Sequence, residues 1–186
     1  SFLWSLTALC FTAASRRIGP AKVNALRIVM ALIWLGVTHR VLNGVWIPAA
    51  NGRQVLLLGL SGLLGLTLGD LALFTAFVRI GPRLAMLVMT TAPIFAALFG
   101  WVALGETLSG WAWPGMALTI AGVGWVVLER SSDPSYPAQA ARTRGLLLAS
   151  IAALCQAGGL WLSKAGIGHG WLPREQHMAA QTATLL

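Results

Sequence analysis

Between Val55 and Val78 the chain runs for 24 residues with one charged side chain, Asp70, and no proline. A helix needs about 20 apolar residues to cross the hydrocarbon core of a bilayer. Comparable runs recur on both sides, over about Phe2 to Ala14, Val23 to Val37, Leu84 to Leu104, Trp111 to Leu128 and Gly145 to Ser163. They are too long for membrane β-strands and do not alternate with period two. The expected class is all-α: a polytopic transmembrane helical bundle of six spans, with a partial seventh near Glu175.

Composition excludes the main alternatives. Only 10% of residues are charged and 57% are hydrophobic, against about 25% charged in a soluble domain. A soluble enzyme, a disordered tail and a disulfide-rich secreted scaffold are ruled out. The net charge of +8 comes from loop cations beside apolar runs, the pattern that orients a membrane protein. No basic stripe with stacking aromatics is present, so nucleic acid is not an expected partner. Cys10 and Cys155 lie inside apolar segments and read as small apolar fillers. The chain starts on Ser1 and ends inside an apolar stretch, so it is expected to be a piece of a longer protein.

The breakers between runs carry more information. Arg-Ile-Gly-Pro occurs twice, at Arg17 to Pro20 and at Arg79 to Pro82. It reads as a helix exit and entry, with Gly in a left-handed cap and Pro to restart the helix. Two spans separate the copies, so both lie on one membrane face. The polar stretch from Glu129 to Arg144 reads as a solvated linker. Gly59, Gly62, Gly65 and Gly69 in the third span, and Gly115, Gly122 and Gly124 in the fifth, are spaced for close helix packing. Trp46, Trp101, Trp111 and Trp171 sit near run ends, as interfacial anchors do.

Asp70 is the residue most in need of explanation. Eleven residues separate it from Gly81, roughly 16 Å of helix. A carboxylate at that depth costs at least about 2.5 kcal/mol unless it is paired, hydrated or protonated. Arg27 lies eight residues past Gly19, about 12 Å below the same face. The two depths agree closely enough for an ion pair at the wall of a central cavity. The competing reading has Arg27 reaching back to the headgroups and Asp70 capping a neighbouring helix. Pro93, mid-run in Met89-Thr90-Thr91-Ala92-Pro93, is expected to kink its helix by freeing the carbonyl of Met89. Thr90 and Thr91 are then available to re-satisfy the freed groups or to line a polar path.

One enzyme signal needs weighing. Gly59-Leu60-Ser61-Gly62 reads as the G-x-S-G of intramembrane serine proteases, whose chemistry needs a histidine beside the serine. His39 and His169 read as loop residues and His177 as the start of the seventh helix, so a protease is a remote alternative. Glu106 reads as a solvated residue in the turn before the fifth span. Metal, nucleotide and other cofactor motifs are absent.

Arg79-Ile80-Gly81-Pro82, then Ala92-Pro93, Leu104-Gly105-Glu106, Gly115 and Gly122 together resemble the first EamA repeat of the drug/metabolite transporter superfamily. Trp4 and Arg27 fall where that repeat usually has Trp and Arg, and the segment from Gly145 to Lys164 looks like the start of a second repeat. On this resemblance residues 1–128 form the first repeat, 129–144 a linker and 145–186 the beginning of the second. Thr7-Ala8-Leu9-Cys10 is weakly echoed by Ala152-Ala153-Leu154-Cys155, as a five-helix unit repeated upside down would require. The resemblance implies ten helices in two inverted halves around a cavity, and alternating-access export of metabolites, amino acids or drugs across a bacterial inner membrane. Arg27, Asp70, Thr90, Thr91 and Pro93 are the expected substrate-pathway residues, and proton coupling is an expectation resting on Asp70 alone.

Orientation is a point of conflict. The family's usual cytoplasmic N-terminus would place Arg16, Arg17, Lys22, Arg79, Arg83, Arg130, Arg142 and Arg144 outside. It would leave only Arg40, Arg53, Lys164 and Arg174 inside, and the positive-inside rule favours the reverse. A non-transporting membrane interaction protein that associates through its glycine faces is the main alternative function.

Overall fold

The computed structural model describes residues 2–44, 46, 50–105, 107–128 and 139–168. Among these the regular structure is helical, with no strands. In chain order it comprises α1 (Phe2–Ile18), α2 (Pro20–Asn43), α3 (Gly52–Gly62), a π-helical segment (Leu63–Gly69), α4 (Asp70–Met89), α5 (Ala92–Leu104), α6 (Ala112–Leu128) and α7 (Gln139–Ile167). Pro20–Leu42, Gly52–Met89 and Ala140–Ile167 are long and apolar enough to cross a membrane, and two shorter apolar helices accompany them. The expected helical membrane bundle is what the chain forms.

The two Arg-Ile-Gly-Pro copies fold alike. Gly19 has φ 90° and ψ 147°, and Gly81 has φ 79° and ψ 160°. The sign of φ is the expected one, but the conformation is not the left-handed cap: ψ is extended, in a region essentially closed to residues with a Cβ. Pro follows in both cases and starts the next helix with its φ already set and no N–H to satisfy. One glycine thus turns the chain between α1 and α2, and the other divides α4 into the end of one span and the start of the next. True left-handed caps occur at Gly44 and Gly105.

The helices are longer than the apolar runs, because polar flanks extend them. α2 gains Pro20 to Lys22 at one end and Thr38 to Asn43 at the other. α3 begins on a capping box in which Asn51 and Gln54 bond reciprocally. α7 begins at Gln139, so 139–144, expected as linker, are already helical; residues such as Gln, Ala and Arg favour that state. The rest of the expected linker, the seventh helix near Glu175, Glu106, Trp171, His169 and His177 lie outside the described residues. His39 corrects an expectation: it is buried within α2, not in a loop.

Before Pro93 the α-helical ladder is interrupted by a turn whose residues, Thr90 and Thr91, keep right-handed helical angles. α4 ends at Met89, Thr90 and Thr91 form a turn, and Pro93 occupies the first turn of α5. The amides of Thr90 and Thr91 bond to the carbonyls of Leu87 and Val88, tightening the last turn as helix ends do.

The centre of the bundle is α7, which packs on α3, the π-segment, α4 and α5. Ala149, Ala152, Ala153 and Ala157 are fully buried along it. Gly145 lies against Ile80, Gly158 against Leu64 and Gly166 against Leu58, so α7 runs antiparallel to the Gly52–Ile80 rod. α1 covers the other side of α4, where Phe11 stacks on Phe74 and Phe74 on Phe77. Large exposed apolar residues such as Met30, Ile33, Trp34, Leu118 and Trp125 are the lipid-facing surface such a bundle requires. The glycines of the fifth span are a correction. A Cβ at Gly115, Gly122 or Gly124 would meet nothing within 4 Å, and α6 buries none of its residues among those described. Small-residue spacing permits close approach but does not supply a partner.

Candidate functional site

Three elements border a half-open cavity of about 600 Å³: one face of α2, the α3–π junction and the middle of α7. On α2 the lining residues Arg27, Ile28, Ala31, Leu32 and Leu35 follow the spacing that keeps side chains on one helix face. Gly59 and Gly62 line it from α3, and a Cβ at either would meet nothing within 4 Å. Gln156, Gly159, Leu160 and Ser163 close it from α7.

The π-segment shapes the polar end. A π-turn misaligns the backbone ladder and is often found at functional sites in helices. Here Asn24 of α2, only 4% exposed, directs its amide into that stretch. Its Nδ2 donates to the carbonyls of Leu66 and Thr67, both at 3.1 Å. In a medium without water such carbonyls need a partner inside the protein.

Asp70 follows the π-segment directly and is 4% exposed. Its carboxylate is held from two helices: Arg27 Nη2 of α2 donates to Oδ2, and Gln156 Nε2 of α7 donates to Oδ1 at 3.0 Å. The Arg27 guanidinium also stands over the Phe74 ring, 5.5 Å from its centroid, within cation–π range. Arg27 keeps 30% of its side chain exposed whereas that of Asp70 keeps 5%. Arg27 is therefore the group at the cavity surface, and Asp70 is the buried anchor behind it. Buried charges persist when paired and hydrogen-bonded, and both conditions hold here.

The structure brings Arg27 and Asp70 together and keeps the rest of the expected pathway apart from them. Thr90, Thr91 and Pro93 are not among the residues lining this cavity. The hydroxyls of Thr90 and Thr91 donate to the carbonyls of Leu87 and Val88 on their own helix, at 2.6 and 2.7 Å. Ser61 donates to the Gly159 carbonyl at 2.7 Å, a bond that ties α3 to α7. Cys10 and Cys155 are free thiols. Among the described residues no group of three or more His, Cys, Asp or Glu is arranged to hold a metal ion. Sequence reasoning missed Asn24 and Gln156; the available signal was an uncharged amide inside an apolar run, which is costly in hydrocarbon unless bonded.

The model of the EamA-like transporter family matches residues 1–128, ending with α6. Neither the curated proteins nor the solved structures contain a match. A family match over more than two-thirds of a helical, membrane-spanning chain decides its kinship: the chain belongs to the EamA-like transporter family.

Proposed function

We propose that the chain is the solute-handling part of a secondary transporter that exports small metabolites, amino acids or drugs by alternating access from a multi-pass position in a bacterial inner membrane. The observation that carries this reading is the cavity among three membrane helices, with the Arg27–Asp70 pair at its end. An ion pair inside a membrane is expensive, and such residues face cavities and solute paths. Asp70 and Gln156 position Arg27, and Arg27 meets the solute. The interruption at Thr90, Thr91 and Pro93 lets α5 swing relative to α4, which is a role in gating rather than in contact. Asp70 is the group on which proton coupling would rest. The bond from Ser61 to the Gly159 carbonyl gives the serine a structural task, tying α3 to α7.

The test is an efflux screen with the full gene product in cells. Asp70→Asn at equal membrane abundance is expected to lower export of whichever solute the screen finds by about tenfold or more, the scale of one lost charge-assisted contact. Unchanged export would remove the ionic role. An α6 face that buries nothing among the described residues favours the second reading, a membrane interaction protein. That reading predicts a stable partner complex and no export of any solute.

A further inference from the structure

The shape and charge of the cavity specify what it accepts. From Arg27 to Leu35 along α2 the lining extends eight residues, and from Leu58 to Thr67 it extends nine, so the cleft is roughly 12–14 Å long at 1.5 Å per residue. Its polar end is Arg27, Thr67 and Gln156, Ser61 and Ser163 add hydroxyls, and leucines border its length on three sides, among them Leu32, Leu63 and Leu160, each about half exposed. Among the described residues no carboxylate lines it. Among the described residues the acid nearby is Asp70, which is buried behind Arg27 and already takes a hydrogen bond on each oxygen.

The guanidinium is presented in a fixed pose. It has five N–H donors, Asp70 takes its bond at Nη2, and Phe74 covers a face. Arg27 itself lines the cavity and keeps 30% of its side chain exposed. An anionic or acceptor head arriving there gains charge-assisted hydrogen bonds. A cationic head meets the guanidinium first and the shielded carboxylate only at longer range.

We propose that this cavity binds amphiphilic anions, head group on Arg27 and aliphatic body between the leucines of α2, the π-segment and α7. The inference rests on the transporter reading and adds the substrate class to it. A volume of about 600 Å³ lies within the roughly 300–1,000 Å³ usual for small-molecule sites, and it admits a medium-chain monocarboxylate with room for branching. The same chemistry could be supplied by a free carboxylate or by an anionic lipid entering sideways, and the test separates them.

The experiment uses the full gene product in phosphatidylcholine nanodiscs with radiolabelled octanoate, octylammonium and octanol as probes. Octanoate is expected to bind saturably and at least about tenfold more tightly than either competitor, the value of one charge-assisted contact. Gly62→Leu fills the cavity from a position where a Cβ meets nothing within 4 Å, so it should abolish octanoate binding while thermal stability is kept. The double variant Arg27→Gln/Asp70→Asn removes both charges together, leaves neither one buried alone, and should erase the preference for octanoate over octanol. Competition by phosphatidylglycerol in the nanodisc identifies a lipid as the source of the anion, and its absence identifies a free solute. Equal or tighter binding of octylammonium or octanol overturns the proposal, as does octanoate binding that survives Gly62→Leu. Counterflow in proteoliposomes is read separately: octanoate bound but not exchanged defeats the transporter reading alone, and exchange of other solutes without octanoate binding defeats the substrate class alone.

Discussion

Gly59 and Gly62 in α3, and Gly65 and Gly69 in the π-segment, are the same residue at three- and four-residue spacing on one continuous rod, yet their surroundings are opposite. A Cβ on either of the first two would meet nothing within 4 Å. At Gly69 it would lie 3.1 Å from Cys155 Cβ, and the backbone of Gly65 lies 3.1 Å from where Gly159 would carry its own Cβ. The reason is rotational. Leu58, Ser61, Gly65 and Gly69 form the stripe that touches α7, whereas Gly59 and Gly62 each follow a stripe residue by one position, about 100° further round the helix. One set of glycines lets two backbones meet, and the other leaves a space beside that meeting. The cavity is the by-product of a tight crossing next to an open face.

The largest effect is expected where the two regions join, at the ion pair. Arg27→Gln leaves Asp70 buried with only Gln156 as a partner. Breaking a buried pair from one side costs on the order of 3 kcal/mol, here at the lower end because Arg27 is 30% exposed. Thermal unfolding of the detergent-solubilised protein should show a large loss of stability, and Arg27→Gln/Asp70→Asn should recover most of it. If the double variant is no better than the single one, the pair does not hold the polar end of the cavity.

Gly159→Ala attacks the closed half directly. Its Cβ would sit 3.1 to 3.2 Å from the Gly65 backbone and the Ser61 carbonyl, and backbone cannot rotate away as a side-chain tip can. Overpacking of this kind costs about 1–3 kcal/mol. The expected result is a lower unfolding temperature together with weakened solute retention, because Gly159 also lines the cavity. A neutral substitution would mean that α7 does not approach α3 this closely.

How much of this arrangement sequence alone gives away depends on where each distance is counted from. Arg27 and Asp70 could be matched in depth because each is counted from an Arg-Ile-Gly-Pro break, and those breaks are unambiguous: only glycine accepts the observed φ, and proline fixes the next helix. Gln156 stands 86 residues beyond Asp70, and its contact depends on how α7 docks, which no local pattern encodes. The π-segment is equally silent, since Leu63 to Gly69 has the composition of an ordinary apolar helix. The glycine spacing was legible as small-residue packing but not as two faces, because periodicity counts neighbours along a helix and not the helix opposite. For the same reason the glycines of α6 promised a contact that the described residues do not make.

Asn24→Leu probes the seam between the halves with a smaller effect. The substitution removes both hydrogen bonds to the carbonyls of Leu66 and Thr67 and keeps a similar volume. Each such bond is worth about 0.5–1.5 kcal/mol net, and an apolar replacement relieves the cost of burying the amide, so a net loss of about 1 kcal/mol is expected. Amide hydrogen exchange should rise within 63–70 more than elsewhere in the rod. Uniform exchange along 52–80 would show that the π-turn stands without Asn24.

The smallest predicted effect is also the one most specific to the open face, and its sign is reversed. Gly62 has ordinary helical angles, φ −62° and ψ −43°, so an alanine there is unstrained. It also meets nothing within 4 Å, so it displaces nothing. Glycine in a helix interior is roughly 0.5–1 kcal/mol less favourable than alanine, because it loses more backbone freedom on folding. Gly62→Ala should therefore stabilise the protein by about that amount, and Gly59→Ala should do the same, while Gly159→Ala destabilises it. A bilayer holds much of the chain helical even before tertiary packing, which pushes the gain toward the low end of that range. The sign is what matters: a destabilising Gly62→Ala would mean that Gly62 packs against a neighbour in the assembled transporter, and that the space beside α7 is closed in the membrane.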